Sequence, residues 1–478
     1  ITGKLCISSK TRWGITNKGL KKYTFKPIDK SYPTYIVASK LKPNNTDVYV
    51  KIEIDSWING EHPRGILVDI YGNVNNINLY ENILLESYQI FPRNKKKIYK
   101  NELSNIENKQ IDFSIDEDWS NCNITVSVDP EGCKDIDDAI SINELGEYAV
   151  HIATPTLWFD NISNIDSIVS SQCTSIYTKS NTYHLLPEII STNKSSLLEN
   201  TNRYCISVVW SNNPKKYRIV RTKISNKNNY SYDVFDSNNK YYNSILKVYK
   251  SLWPDSVVNN SHDLIEESMK MANNIVAKYL VDNIGEKTIL RKSINDSAWY
   301  LLYNKESNNS HKFLDIDLYT HFTSPIRRYS DQIVHRQILN ILSNNSISKT
   351  NINTIVQMNS IKVKNKILDT QIKLLDLINE NSVVNIKANF VYIYDNYARI
   401  ELNNEEKTRL SIPLFSNSIT DLIEIIKDEN NISLNNNKNI LEFCINDPIE
   451  INIHWISSKG LDGLRYEWIT PYISELLI

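Results

Sequence analysis

The sequence predicts an α+β protein in which two small OB-type β-barrels flank a larger mixed central region. Three observations carry that expectation. Residues near both ends alternate apolar and polar with a period of two. The middle of the chain holds apolar stripes at helical spacing. Turn residues punctuate the short strands in the manner of small barrels. The expected boundaries are 1–95 for the first barrel, 96–380 for the central domain and 381–478 for the second barrel.

In the first segment Val48, Val50, Ile52 and Ile54 alternate with Tyr49, Lys51 and Glu53, the pattern of a half-buried strand. A turn through Asn59-Gly60 and Pro63-Arg64-Gly65 follows, and a second strand runs from Ile66 to Ile70, ending at Gly72. In the centre, Ile265, Met269, Ala272, Ile275, Val276 and Tyr279 predict a helix over 264–280. A further long helix is expected within 353–380, from Ile355, Met358, Ile361, Ile367 and Ile372. In the last segment Val384, Ile386, Ala388 and Phe390 alternate, as do Ala398, Ile400 and Leu402, and an Asn-rich loop is expected near 430–439. Beyond the likeness of its two ends the chain shows no internal repeat.

The 478 residues are enough for about three domains at roughly 150 residues each. Hydrophobic residues make up 41% and charged residues 23%, the balance of a folded chain and not of a disordered one. The 54 Lys+Arg against 55 Asp+Glu exclude a protein that coats nucleic acid by bulk positive charge, though not a local basic channel. Asparagine is in excess, roughly 60 residues or about 13%, dispersed among the periodic apolar segments as a compositional background. At that frequency Asn-x-Ser/Thr triplets arise by chance and say nothing of secretion.

The six cysteines contain no Cys-x-x-Cys pair, which argues against a zinc ribbon or a disulfide framework and fits a reducing compartment. No apolar run approaches the length of a membrane span and no signal-peptide pattern opens the chain. The expectation is a protein of the cytoplasm or nucleus with no membrane association. The first residue is Ile and not Met, which suits a piece of a longer protein.

The densest chemistry lies in Ser127-Val128-Asp129-Pro130-Glu131-Gly132-Cys133-Lys134-Asp135-Ile136-Asp137-Asp138, just after a strand-like run. Two carboxylates roughly 4 Å apart repel by about 4 kcal/mol at an effective dielectric of about 20. Four of them need cations or raised pKa values, and Lys134 alone does not neutralise them. A solvated acidic turn is one reading. A calcium EF-hand fits poorly, because the aspartate spacing and the glycine position are wrong. A Mg²⁺ cage for phosphoryl chemistry is the sharper reading.

The second constellation is Tyr319-Thr320-His321-Phe322-Thr323-Ser324-Pro325-Ile326-Arg327-Arg328-Tyr329. Ser324 reads as an N-cap and Pro325 as the first helical residue, with an apolar stripe of Ile326, Tyr329, Ile333, Ile338 and Ile341. Two arginines in a first helical turn oppose the helix dipole, which makes sense where an anion such as phosphate binds there. Pairing with surface carboxylates is the alternative. His311, His321 and His335 lack ligand spacing and are expected to be core or hydrogen-bonding residues.

With these residues in view, the chain resembles the ribonuclease II / ribonuclease R (RNB) family, most closely the eukaryotic exosome-associated branch. Asp129 to Asp138 resembles the family's D-x5-D-x-D-D signature, and Tyr319 to Arg336 matches its second signature nearly residue for residue. Thr174 to Tyr177, Leu186-Pro187-Glu188, and Ile265 to Met269 with Ala272-Asn273 resemble intervening motifs. His62-Pro63-Arg64-Gly65 and the strand after it resemble a cold-shock barrel of the exosome branch.

The resemblance implies an RNB catalytic domain between a cold-shock-like and a C-terminal OB barrel. The implied activity is processive, Mg²⁺-dependent 3′→5′ hydrolysis of single-stranded RNA to 5′-mononucleotides. By the same resemblance Asp129, Asp135, Asp137 and Asp138 hold Mg²⁺, with Asp137, Asp138 and Arg327 catalytic. Tyr177 stacks on the terminal base, Tyr232, Glu266 and Glu267 orient the last nucleotide, and Arg328 contacts substrate. An exosome-like complex is the implied partner.

Departures are Thr154 where the family has Asp, Gln172-Cys173 in place of a basic-small pair, and Leu290-Arg291-Lys292 without the following His. An N-terminal endonuclease domain and a first cold-shock barrel, present in the exosome branch, are not visible. A non-catalytic RNA-binding scaffold and a deoxyribonuclease remain as alternatives.

Overall fold

The computed structural model describes the chain apart from residues 12, 30, 43–45, 58–59, 77–78, 89–94, 179–180, 295–296, 348, 379–382, 394–396, 404–408, 414–423, 428–430, 436–439, 445–447, 457–462 and 470–478. Beyond residue 375 only a few side chains are described. The chain divides into two compact units, one of Ile1–Ile90 with Val363–Ile478 and one of Phe91–Lys362.

The first unit opens with β1 (Thr2–Leu5), β2 (Lys21–Pro27), β3 (Tyr35–Ser39), β4 (Val48–Ser56) and β5 (Arg64–Asn73). They close into a barrel of order β1-β2-β3-β5-β4, with β3 and β5 parallel, an OB-type arrangement. Tyr23, Phe25, Val37, Val50 and Ile52 fill its interior. Gly65 gives this closure its room: a Cβ there would lie 2.7 Å from Ile52 Cδ1 and would displace that side chain.

The expected alternation in β4 holds only in part. Tyr49 is buried beside Tyr80 of α1 (Tyr80–Ser87), while Ile54 is exposed. Repeated register shifts against β5 turn the end of β4 outward, and Ile66, Val68 and Ile70 of β5 also face out. The Asn59 part of the expected turn lies outside the described residues.

The chain continues with α2 (Lys95–Asn108), β6 (Glu117–Trp119), β7 (Ile124–Asp129), β8 (Asp138–Ile142), β9 (Tyr148–Ala153), α3 (Asn164–Gln172) and the hairpin β10 (Ile176–Tyr177) and β11 (Thr182–Tyr183). Next come β12 (Asn202–Trp210), β13 (Tyr217–Ser225), β14 (Asn228–Ser231), α4 (Lys240–Leu252) and α5 (Ser261–Ile284). The pair β15 (Ile289–Ile294) and β16 (Ser297–Leu302) precedes α6 (Tyr329–Leu342) and α7 (Ile352–Ile378). The helices expected over 264–280 and within 353–380 are α5 and α7.

A seven-stranded mixed sheet, β14-β7-β8-β9-β12-β13-β6, organises the second unit. Every residue of β9 is buried because helices cover both faces of the sheet. Tyr148, Val150 and Ile152 pack with Ile206, Val208 and Trp210 against α4 and α5. Ala149 and Ala153 face the opposite side with Cys205, Val209 and Ile224, against α3 and the first part of α7. On that side a polar ladder runs from His151 Nδ1 to Ser207 Oγ at 2.6 Å and on to Thr222 Oγ1 at 2.6 Å.

The end of the chain, in the first unit, forms β17 (Val383–Ile393), β18 (Tyr397–Leu402), β19 (Arg409–Pro413), β20 (Glu424–Lys427), β21 (Asn431–Asn435), β22 (Ile440–Cys444), β23 (Pro448–Ile456) and β24 (Gly463–Ile469). The order β19-β18-β17-β23-β24 repeats the strand order of the N-terminal barrel opened between its third and fifth strands. The strands β20-β21-β22 form a separate sheet inserted after the third strand. The expected Asn-rich loop is therefore corrected: Asn431–Asn435 is the central strand of that sheet, paired on both edges. Residues 430 and 436–439 of that segment lie outside the described residues.

Trp210 is fully buried, with Tyr148 and Trp253 rings 6.1 and 5.3 Å away. Trp210→Ala should destabilise the second unit by about 3–5 kcal/mol, read as a lower denaturation midpoint by near-UV circular dichroism. A loss below about 1 kcal/mol would contradict this packing.

Candidate active site

The acidic segment sits where β7 ends and β8 begins. β14 runs parallel to β7 with Ser231 opposite Asp129, so Tyr232 leaves the sheet beside the first aspartate. The backbone N–H of Ala153, at the end of β9, donates to Asp137 O at 2.8 Å, and Ser196 bridges the loop by accepting from Ile136 N–H and donating to Lys134 O. A pocket of about 400 Å³ opens at this end of the sheet, lined by Asp129, Asp135, Asp137, Asp138, Tyr177, Tyr232, Cys133, His262 and Arg327.

Asp137 joins two distant parts of the chain. Its Oδ1 accepts the Ile326 N–H at 2.7 Å, and its Oδ2 lies 3.3 Å from Arg327 Nε. Burial pushes its carboxyl well above the usual range, against the pull of Arg327 and the Ile326 N–H. Burial likewise raises Asp129 to about 6 and Asp138 to about 8, the latter helped by the charge of Asp129. Asp135 instead accepts the Tyr177 hydroxyl at 2.6 Å, with His184 Nδ1 at 3.8 Å from the same oxygen.

The arginine segment differs from the expected helix start. Residues 325–327 form a turn, Arg328 has extended backbone, and α6 begins only at Tyr329. Ser324 is not the N-cap, and neither arginine stands in the first helical turn. The cause is pairing with residues 173–175: Arg328 bridges Thr174, Ser175 N–H donates to Arg327 O, and Tyr329 N–H donates to Cys173 O. The buried Asp331 carboxylate holds the turn from the other side, taking Ser324 N–H and Arg328 Nη2, each at 2.8 Å. Arg327, with Nη2 donating to Ser324 Oγ at 3.0 Å, is left half exposed at the pocket.

Of the other candidates, Tyr177 is 46% exposed, and Tyr232 stacks on His262 with centroids 3.7 Å apart and planes 7° from parallel. Arg328, Glu266 and Glu267 do not line the pocket. Arg328 is committed to Asp331, Glu267 pairs with Lys270, and Glu266 points to solvent from α5. Sequence reasoning missed His262 and Asp331. The only signal for His262 was its place four residues before Glu266, and for Asp331 its place just after the arginines. His311 and His335 are buried, His321 Nδ1 lies 2.7 Å from the Tyr300 hydroxyl, and His335 Nε2 lies 2.9 Å from Phe322 O.

The carboxyl groups of Asp129, Asp137 and Asp138, which burial raises, and that of Asp135 beside them supply hard oxygen donors suited to a divalent cation. Asp129 Oδ2 is buried without a hydrogen-bond partner, as a ligand oxygen would be. The four do not close into one cage, because Asp135 turns to Tyr177 and Asp137 to the arginine turn. Among the described residues no three His, Cys, Asp or Glu side chains surround a single ion position. None of the described helices is long and apolar enough to cross a membrane.

The RNB domain model matches residues 117–243 and 296–344, which span most of the sheet, the acidic loop and the arginine turn. The mouse exosome complex exonuclease RRP44 is 24% identical over 436 residues, covering 67% of this chain and 44% of that protein. Ribonuclease R of Chlamydia pneumoniae is 26% identical over 333 residues, covering 49% of each. The chain thus spans about half the length of the curated relatives it matches. In fold it resembles the apo form of Mycoplasma genitalium RNase R (TM-score 0.70, 17% identity, 95% of this chain and 87% of that one). It also resembles yeast Ssd1, a pseudonuclease (TM-score 0.65, 14% identity, 98% and 83%). Over residues 117–243 and 296–344 the chain is similar to an RNB domain, the domain it shares with the ribonuclease R and exosome exonuclease relatives it matches.

Proposed function

We propose that the chain is a processive 3′→5′ exoribonuclease that hydrolyses single-stranded RNA to 5′-mononucleotides with Mg²⁺. The observation that carries this reading is the junction of Asp137 with Ile326 and Arg327, which brings a cationic side chain to the mouth of an acidic pocket. A fold shared with a pseudonuclease does not carry it; these side chains do.

Asp129, Asp135, Asp137 and Asp138 would hold Mg²⁺, which when bound activates water and absorbs charge that develops on phosphate. Arg327, steadied by Ser324 and Asp137, faces the phosphate as a fixed positive charge. Tyr177 offers its ring to the terminal base, and its hydroxyl keeps Asp135 oriented. The Tyr232–His262 stack forms a flat wall for the last nucleotide. Glu266 meets RNA outside the pocket, while Glu267 and Arg328 act through the chain they pair with.

We also place the protein in the cytoplasm or nucleus, with single-stranded RNA and an exosome-like complex as partners. The expected domains, 1–95, 96–380 and 381–478, are retained as functional parts: cold-shock-like barrel, RNB catalytic domain and C-terminal RNA-binding barrel.

Asp137→Asn should lower mononucleotide release from 5′-labelled single-stranded RNA by at least about a hundredfold, with RNA binding still measurable. Wild-type rate in that variant would sink the site assignment, and degradation of single-stranded DNA at the RNA rate would make the enzyme a general nuclease. EDTA should stop release and Mg²⁺ restore it. Mg²⁺ at about 100 times its Kd should also stabilise the fold by about 2.7 kcal/mol, an effect absent in Asp129→Asn/Asp138→Asn. RNA binding without any Mg²⁺-dependent product would identify a scaffold instead. Tyr177→Ala should weaken RNA binding by about 1–3 kcal/mol, whereas Tyr177→Phe, which keeps the ring, should bind near normally.

A further inference from the structure

A second pocket, of about 350 Å³, lies in the same unit and shares no lining residue with the acidic one. Its walls come from the residues after α2, the turn after β9, the segment 193–195 and the start of β12. Three cations line it, Lys109, Lys194 and Arg203, beside the rings of Trp158 and Tyr204.

Arg203 is the informative residue. Its guanidinium donates to Ser196 O, Asn202 O and Asn193 O, each at 2.9 Å, which uses three of its five N–H groups. All three acceptors are neutral carbonyls. Among the described residues no carboxylate pairs with Arg203. Burial accordingly holds its pKa below the ordinary value, opposed only by Cys205. A partly buried cation without a counter-charge is costly unless an anion joins it.

Lys194 is in the same position. Its ammonium lies 4.9 Å from the Trp158 ring centroid and 3.4 Å from Glu107 O, with no carboxylate partner among the described residues. Lys109 has one partner, Asp160 at 3.7 Å, and that carboxylate is 80% exposed. Ser195, buried in the wall, has an Oγ with no hydrogen-bond partner. Two uncompensated cations, a third held loosely and an orphan hydroxyl are the groups that bind a phosphate. The adjoining indole and phenol are the flat faces that take a base. The volume falls within the range of small-molecule sites.

We propose that this pocket binds a nucleoside monophosphate, its phosphate on Lys194, Arg203, Lys109 and Ser195 and its base against Trp158 and Tyr204. The site stands whether or not the acidic pocket is a nuclease centre.

The test is isothermal titration of the whole chain in EDTA with AMP, adenosine and inorganic phosphate. AMP is expected to bind at least about tenfold more tightly than either adenosine or inorganic phosphate. Lys194→Gln and Trp158→Ala should each weaken AMP by about tenfold or more, while Asp137→Asn leaves it unchanged. Arg203 also ties its loop together, so Lys194→Gln, which breaks no loop contact but one to Glu107 O, is the deciding variant; its fold is checked by circular dichroism.

Absence of AMP binding at millimolar concentration would overturn the proposal. So would phosphate binding as tightly as AMP, which would mark a bare anion site. Unchanged affinity in a folded Lys194→Gln, or loss of AMP binding in Asp137→Asn, would likewise overturn it, the last by placing the ligand in the acidic pocket.

Discussion

The carboxylate of Asp137 accepts the N–H of Ile326 and faces Arg327, joining residues 189 positions apart in the chain. Most of the site depends on that contact. It fixes the acidic loop against the arginine turn, and the turn is fixed in its own right by the segment 173–175 and by Asp331. A buried carboxylate bound to a backbone N–H and set beside a guanidinium has few alternative arrangements, because an unmatched charge in the interior is expensive. The geometry of the pocket follows from a desolvated charge finding its partners.

The sheet makes that contact possible. β9 and, from Cys205 on, β12 are buried on both faces, and their small residues on one side let α3 and the first part of α7 approach, while aromatic residues on the other side fill the space under α4 and α5. Parallel pairing of β14 with β7 delivers Tyr232 beside Asp129, and β9 delivers Ala153 to the carbonyl of Asp137. Rigid strands thus carry side chains remote in sequence to one end of the sheet, where a loop alone would hold them loosely.

Much of the fold was legible in the sequence. Period-2 alternation located β17 and β18, and helical spacing located α5 and α7, because burial of one face imposes those periods directly. Failures came where a non-local contact outweighed local preference. Ser324-Pro325 has the chemistry of a helix start, but pairing with 173–175 holds the chain extended through Arg328. Asn431–Asn435 reads as a loop by composition, and two flanking strands make it a central one. In β4 register shifts turn Ile54 outward, which alternation alone does not foresee.

For the site, the aspartate spacing and the paired arginines were enough to point to cation-assisted phosphate chemistry, because four like charges in ten residues demand neutralisation. The sequence by itself therefore determined the fold class and singled out the aspartates and arginines as the candidate site. The tertiary structure decided which of them meet. It put Arg327 at the pocket and turned Arg328 to Asp331, left Glu266 in solvent and Glu267 on Lys270, and stacked His262 on Tyr232. Arg327 and Arg328, like Glu266 and Glu267, are alike in type, but the folded chain separates them by direction. Only the packing of the rest of the molecule sets that direction.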